Sequence, residues 1–147
     1  MKHIVFLAVA LMFALPLAAS VSAPTIVMPD DTHWSAVTSG PMAGTEMAVL
    51  VGNPEKPGPY IVRLRAKDGT KFGPHFHGGV ENVTVISGTL LVGLGDKADP
   101  ATMKALPAGG FVSIPAGLHH YATAKGETVI EIAGNGPMTM TVLPASR

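Results

Sequence analysis

The sequence predicts an all-β domain. After an apolar start, short apolar or alternating runs are separated by glycine and proline, and no helical period extends over a dozen residues. The candidate strands follow one another too closely for crossover helices, so neighbours must pair mainly as antiparallel hairpins and longer Greek-key returns. This pattern predicts a single-domain sandwich or closed barrel.

The first 23 residues predict a secretory signal peptide. An uncharged apolar run over residues 4–15 follows Lys2, and residues 16–23 supply small side chains where a signal peptidase could cut. The apolar run is shorter than the roughly 18 residues of a membrane span, so we expect no stable membrane insertion after cleavage; an uncleaved signal is the alternative. The protein is expected to be exported, to the periplasm in a Gram-negative source and otherwise by secretion.

Residues 24–147 are about 124 in number, enough for one domain with its own core. The chain has no cysteine, so neither a disulfide framework nor a lipid-attachment cysteine is expected. Without Lys2 there are nine basic and ten acidic side chains and no basic run. This charge makes nucleic acid an unexpected partner.

Ten strands are predicted from apolar alternation between turn residues. Three prolines between 53 and 59 cannot continue a ladder, because proline lacks the N–H donor. Ser87, Gly88 and Thr89 predict a tight hairpin, and residues 96–100 and 107–110 predict a polar loop and a turn. The strands are predicted at 33–37, 45–51, 60–66, 71–76, 81–87, 89–95, 111–114, 119–124, 128–133 and 138–143.

The segment 69–88 carries a candidate metal site. His75 and His77 are two residues apart on a strand, so their imidazoles project from the same face. The glycines at 78 and 79 allow a sharp turn, which can return the Glu81 carboxylate to the same point. Two imidazoles and a carboxylate are a common set of ligands for a first-row divalent metal.

A second segment, 109–120, supplies a fourth candidate ligand. Pro115 presets φ and Gly117 tolerates positive φ, so the strand that ends at Ile114 can reverse and direct His120 toward the same interior. A slip of one residue in this turn would make His119 the ligand instead.

The two segments resemble the cupin family. Its first motif is Gly, five residues, His-x-His, three or four residues, Glu, six residues and Gly, and residues 69–88 have this spacing. Its second motif is Gly, five residues, Pro-x-Gly, two residues, His, three residues and Asn, and residues 109–124 have it except that Ala124 stands at the last position. This departure leaves the implied ligands intact and puts local turn contacts in doubt.

The resemblance implies a cupin-type β-barrel, the double-stranded β-helix or jelly roll, over residues 24–147. It also implies one divalent transition metal, manganese, iron, zinc, nickel or copper, held by His75, His77, Glu81 and His120. Members of the family commonly pair through strands at the barrel edge, so a homodimer is expected. The alternative is a structural barrel in which these polar residues hold no metal.

Two further residues are candidates for substrate binding. Arg63 could clamp a substrate carboxylate, and Glu131 could be directed into the barrel for acid–base work; an exposed sheet face is the alternative for both. Met138 and Met140 alternate with Val142 and are predicted to fill the core. Residues 33–34 are predicted to be an edge-strand packing pair.

The expected function is that of a metal-dependent enzyme, of dioxygenase, decarboxylase or isomerase type, acting on a small oxygenated organic compound. Four protein ligands leave two positions of an octahedral ion open for a ligand. The alternative is a metal- or ligand-binding module that senses without turnover. No catalytic acid or base is identified from the sequence.

Overall fold

The structure is a computed structural model that describes residues 23–144. Apart from Ala23, the predicted signal peptide lies outside the described residues. Residues 23–144 contain no helix that could span a membrane.

Antiparallel strands make up the described part of the chain, which confirms the predicted all-β class. Two short 3₁₀ turns, Pro29–Asp31 and Pro100–Thr102, accompany them. The strands are β1 (Ser35–Ala36), β2 (Glu46–Val51), β3 (Gly58–Ala66), β4 (Lys71–Phe76), β5 (Glu81–Leu94), β6 (Lys104–Pro107), β7 (Phe111–Ile114), β8 (His120–Gly136) and β9 (Thr141–Val142).

The long strands β5 and β8 organise the barrel. They pair along most of their length, from Asn82 opposite Ala133 to Leu94 opposite His120. On its other edge β8 pairs with β3 through its second half and with β4 through its first half. Strand β9 adds to β4, whereas β6 and β7 add to β5. Strand β8 therefore holds together the strands that carry both motifs.

The predicted hairpin at Ser87–Gly88–Thr89 is wrong. Strand β5 bends there and continues, because Gly88 adopts a φ of +75° and has no Cβ to collide with the adjacent backbone of β8. The Thr128 hydroxyl bridges this bend, since it accepts from the Thr89 N–H at 3.3 Å and donates to the Thr89 carbonyl at 3.1 Å. Two predicted strands are thus one bent strand.

Other boundaries also differ from the prediction. The segments 119–124 and 128–133 form the single strand β8, which bends where Gly126 has a φ of +75°. Strand β6 was not predicted, although it pairs with β5. Strands β1 and β9 contain two residues each and are shorter than predicted, because only those residues find ladder partners.

The core lies on the face where strands β3, β5 and β8 direct alternate side chains inward. Val62 and Val85 are fully buried. Burying a side chain of this size contributes roughly 1.5–3 kcal/mol to folding. Met138 and Met140, which were predicted to fill the core, are partly buried and pack against it.

Candidate metal centre

Two strand starts and one strand end bring the site residues together. His75 lies on β4 and His77 directly after it, while Glu81 begins β5 and His120 begins β8. His75 is directly opposite His120 in the ladder between β4 and β8. The strand pairing itself therefore unites the two sequence motifs at one end of the barrel.

The three histidine rings form one buried cluster. The centroid of the His75 ring is 5.0 Å from that of His77 and 4.1 Å from that of His120, and the last two centroids are 5.2 Å apart. One nitrogen from each ring lies within 4.8 Å of the others, an arrangement able to hold a metal ion. Their exposures of 4%, 9% and 2% leave little room for hydration of a charged form.

Backbone carbonyls orient all three rings in the same way. Nδ1 of His75 donates to the Gly73 carbonyl at 2.6 Å, Nδ1 of His77 donates to the Thr139 carbonyl at 2.6 Å, and Nδ1 of His120 donates to the Leu118 carbonyl at 3.0 Å. Because a carbonyl can only accept, the proton of each neutral ring is on Nδ1 and the lone pair is on Nε2. This is the tautomer that an Nε2-bound metal requires.

Glu81 adds a negative charge beside this cluster. Its Oε2 atom lies 3.3 Å from Nε2 of His77 and 3.5 Å from Nε2 of His120. Burial would raise the pKa of Glu81, but His120 and His77 oppose this effect and lower the pKa to about 2. The carboxylate is therefore ionised at neutral pH and can act as an anionic ligand.

The histidines respond differently to this environment. Burial lowers the pKa of His75 to about 4, and repulsion from His120 and His77 acts in the same direction. Burial also lowers the pKa of His77, but the Glu81 carboxylate outweighs it and leaves that pKa above its ordinary value. A cation is thus favoured close to His77 and Glu81, whether that cation is a proton or a metal ion.

Nε2 of His77 provides a test of metal fit. It is a buried side-chain nitrogen without a hydrogen-bond partner, because it carries the lone pair of the Nδ1 tautomer and the ionised Glu81 oxygen 3.3 Å away can only accept. Such a buried polar atom costs about 1–3 kcal/mol if nothing satisfies it. A divalent ion would satisfy this nitrogen and the carboxylate together, so the residues present fit a metal.

A cavity of about 250 Å³ opens from the four site residues into the barrel. Among residues 23–144, those four are the polar members of its lining. The other lining side chains are apolar and include Phe72, Val92, Ile130, Ile132, Met138 and Met140. A ligand at the metal centre would therefore be enclosed mainly by hydrocarbon and thioether groups.

Arg63 and Glu131 are not part of this cavity. They are opposite each other in the β3–β8 ladder and form an ion pair, with Nε 3.1 Å from Oε2. Their neighbours Val62, Leu64, Ile130 and Ile132 are buried in the core, so strand alternation directs both charged side chains to the outer face. The structure gives neither residue a place beside a ligand in the cavity.

His119 is likewise directed away from the cluster. Its Nδ1 is 2.6 Å from Oδ1 of Asp96, and its ring stacks on Phe76 with centroids 5.2 Å apart. Near the N-terminal end, Trp34 packs under the guanidinium of Arg65, which lies 4.5 Å from the ring centroid. The structure thus places His120, and not His119, with the other histidines.

The departure at Ala124 is accommodated by the fold. The side chain is 1% exposed, and its backbone donates to Thr70 at 2.9 Å and accepts from Gly69 at 3.0 Å. These bonds join the start of the first motif to the end of the second.

The Thr139 carbonyl, which orients His77, was missed in the sequence, because a backbone acceptor leaves no side-chain signal.

Comparisons with known proteins agree with this architecture. A family model described as the ChrR cupin-like domain matches residues 22–139. A search of curated proteins found no match.

Similar solved structures include the polyketide cyclase RemF from Streptomyces resistomycificus, with 16% identity, a TM-score of 0.66, and coverage of 85% of this chain and 89% of that one. A putative acetylacetone dioxygenase from Methylibium petroleiphilum PM1 has 20% identity, a TM-score of 0.65 and 89% coverage of both chains. The anti-sigma protein ChrR of Rhodobacter sphaeroides, in complex with SigE, has 19% identity and a TM-score of 0.55, with coverage of 74% of this chain and 52% of that one.

At these identities the structural likeness shows a shared fold. The family model spans most of the chain, from before the first strand to the loop that holds His77. The protein therefore belongs to the family of ChrR cupin-like domains.

Proposed function

We propose that this protein is an exported, metal-dependent enzyme that acts on a small oxygenated organic compound. The observation that carries the proposal is the convergence of three buried histidines, each with Nδ1 bonded to a carbonyl and Nε2 free, beside the ionised Glu81. A site that served only to pack the barrel would not need three rings in the metal-ready tautomer. The adjacent cavity provides space for a ligand.

His75, His77, His120 and Glu81 would hold the ion, which when bound would supply Lewis-acid or redox chemistry. Glu81 is the carboxylate of the cavity within residues 23–144, and apart from the three histidines no other acid or base lines it there. The reaction types that suit such a site are oxygenation, decarboxylation and isomerisation. Likeness to a dioxygenase and a cyclase supports an enzyme of this broad kind.

The metal is proposed to be manganese, iron, zinc, nickel or copper, because the donors are nitrogen and oxygen without sulfur. Elemental analysis of protein purified from the exported fraction, with no metal added, identifies it. The His75→Ala variant, purified in parallel, is the control for adventitious metal. Equal metal content in both proteins would contradict the site.

Activity is tested with the metal-loaded protein and a panel of diketones, catechols, thiols and small dicarboxylates. Oxygen uptake and product formation are recorded for each compound. We expect the metal-loaded wild type to consume at least one compound and the metal-free controls to consume none. If every compound is recovered unchanged while metal or a ligand still raises Tm, the enzyme proposal is rejected.

A binding or sensing module is the second candidate. It is favoured by the family model and by the similar structure of an anti-sigma protein bound to its sigma factor. Tight ligand binding to the metal-loaded protein, with no consumption of the ligand in the same sample, would support it.

Export and dimerisation are also part of the proposal. Fractionation of the source cells, with mass spectrometry of the mature N-terminus, tests the signal peptide at residues 1–23. Light scattering after size exclusion tests the homodimer, and a monomer of roughly 13 kDa after signal removal would reject it.

A further inference from the structure

The polar and apolar side chains that line the cavity are separated from each other. All of the polar side chains that line it within the described residues belong to the candidate metal centre, and the other lining residues carry no hydroxyl, amide or charged side chain. Three methionines, Met42, Met138 and Met140, contribute flexible thioethers to these walls. A ligand can therefore be recognised by polar contacts at one end only.

This division excludes many polar ligands. A hydroxyl or amide group that reached the apolar walls would lose its water and find no partner, which is unfavourable. A second carboxylate would be worse, because no lysine or arginine lines the cavity within residues 23–144 to neutralise it. Sugars, polyols and dicarboxylates are thus poor matches to the walls.

The volume of the cavity and the charge of the metal centre restrict the range of possible ligands further. At about 30 Å³ for each water-sized group, a cavity of about 250 Å³ holds on the order of eight non-hydrogen atoms. A divalent ion beside the ionised Glu81 and three neutral histidines would leave one net positive charge. A ligand that carries one negative charge on its chelating atoms would balance that charge.

From these observations, and resting on the proposed metal site, we infer that the ligand is a small compound with an apolar body and one pair of chelating oxygens that bears a single negative charge. Its oxygens face the four site residues, and its body lies against Phe72, Ile130 and Met138.

A matched pair of probes tests this inference by binding alone. Allomaltol and kojic acid have the same hydroxyketone chelating group and differ at one position, where the first has a methyl group and the second a hydroxymethyl group. Each is titrated calorimetrically into zinc-loaded and metal-free protein, since zinc brings no redox chemistry. Zinc content after each titration shows whether the probe has removed the metal.

We expect allomaltol to bind the zinc-loaded protein at least tenfold more tightly than kojic acid, and neither to bind the metal-free protein. The Val112→Thr variant adds a hydroxyl to the cavity wall with little change in shape, so this ratio should fall. Val129→Thr is the matched control, because Val129 is opposite Arg65 on the outer face and does not line the cavity.

Kojic acid binding that equals or exceeds that of allomaltol, with zinc retained, overturns the inference and leaves the metal site intact. An equal fall of the ratio in both threonine variants also overturns it, because the effect would then not arise in the cavity. Failure of the wild type to retain zinc rejects the proposed function itself, and the inference with it.

Discussion

Replacement of Glu81 by glutamine tests whether this carboxylate belongs to the metal centre. The substitution keeps the size of the side chain and removes its negative charge. Glu81 Oε2 lies 3.3 Å from Nε2 of His77 and 3.5 Å from Nε2 of His120, so the charge is lost where a cation would be held. Both metal affinity and the titration of His77 should respond.

The expected magnitude follows from these distances. A divalent cation and a carboxylate about 4 Å apart attract each other by about 8 kcal/mol at an effective dielectric constant of 20, twice the value for two unit charges. Desolvation of the buried carboxylate offsets part of this attraction in the wild type. We expect a net loss of about 3 kcal/mol in metal binding, which is about a 100-fold increase in Kd.

The assay is a competition titration of zinc against a chelator of known affinity, for wild type and Glu81→Gln. Glu131→Gln is the matched control, because Glu131 is paired with Arg63 on the outer face. In the metal-free variant, NMR titration of the imidazoles should show a lower pKa for His77, since burial would no longer be opposed by Glu81.

Three results would refute this reasoning. Unchanged zinc affinity in Glu81→Gln would mean that the three histidines bind the ion without the carboxylate. An equal loss in Glu131→Gln would mean that net charge, and not the local contact, controls affinity. An unchanged pKa for His77 would show that the two groups do not interact in the metal-free protein.

Backbone strain, acid sensitivity and the outer ion pair provide three more tests. Gly88→Ala should lower the free energy of unfolding by about 3 kcal/mol, because the new Cβ overlaps the β8 backbone and the positive φ adds strain of about 1–2 kcal/mol. Gly69→Ala is the control: its Cβ would have open space around it, so this variant should lose only the strain energy. The pKa of His75 is about 4 in the folded protein and about 6.5 in the unfolded chain, so the unfolded state binds more protons between these pH values. The free energy of unfolding of the metal-free protein should therefore fall by up to about 3 kcal/mol as the pH is lowered from 6.5 to 4. His75→Gln should flatten this loss in urea titrations. Arg63→Ala should change stability by less than about 1 kcal/mol and leave zinc affinity unchanged, since the Arg63–Glu131 pair is partly exposed.

Each of these tests has a contradicting outcome. Equal urea midpoints for the two alanine variants would show that the bend at Gly88 is not tightly packed. An acid profile unaffected by the glutamine substitution would assign the pH dependence to other groups. Weaker zinc binding after the Arg63 substitution would show that the Arg63–Glu131 ion pair affects the metal centre.

Much of the fold could be predicted because strand alternation is a local property. The predicted strand at 71–76 is observed as β4 and that at 111–114 as β7. The bends at Gly88 and Gly126 were mistaken for turns between separate strands, because a glycine with positive φ serves either purpose. Only the pairing of β5 with β8 across both bends distinguishes a bent strand from a hairpin.

The sequence alone determined which residue types were available for a metal and how the two motifs were spaced, because these features depend only on order along the chain. Tertiary structure decided which atoms meet. The Thr139 carbonyl is 62 residues from His77 along the chain, yet it sets the tautomer of that ring. The pairing of Arg63 with Glu131 and the apolar walls of the cavity likewise depend on strands that are adjacent only after folding. Contacts of this kind leave no local pattern, so the chemistry of the ligand had to be inferred from the folded barrel.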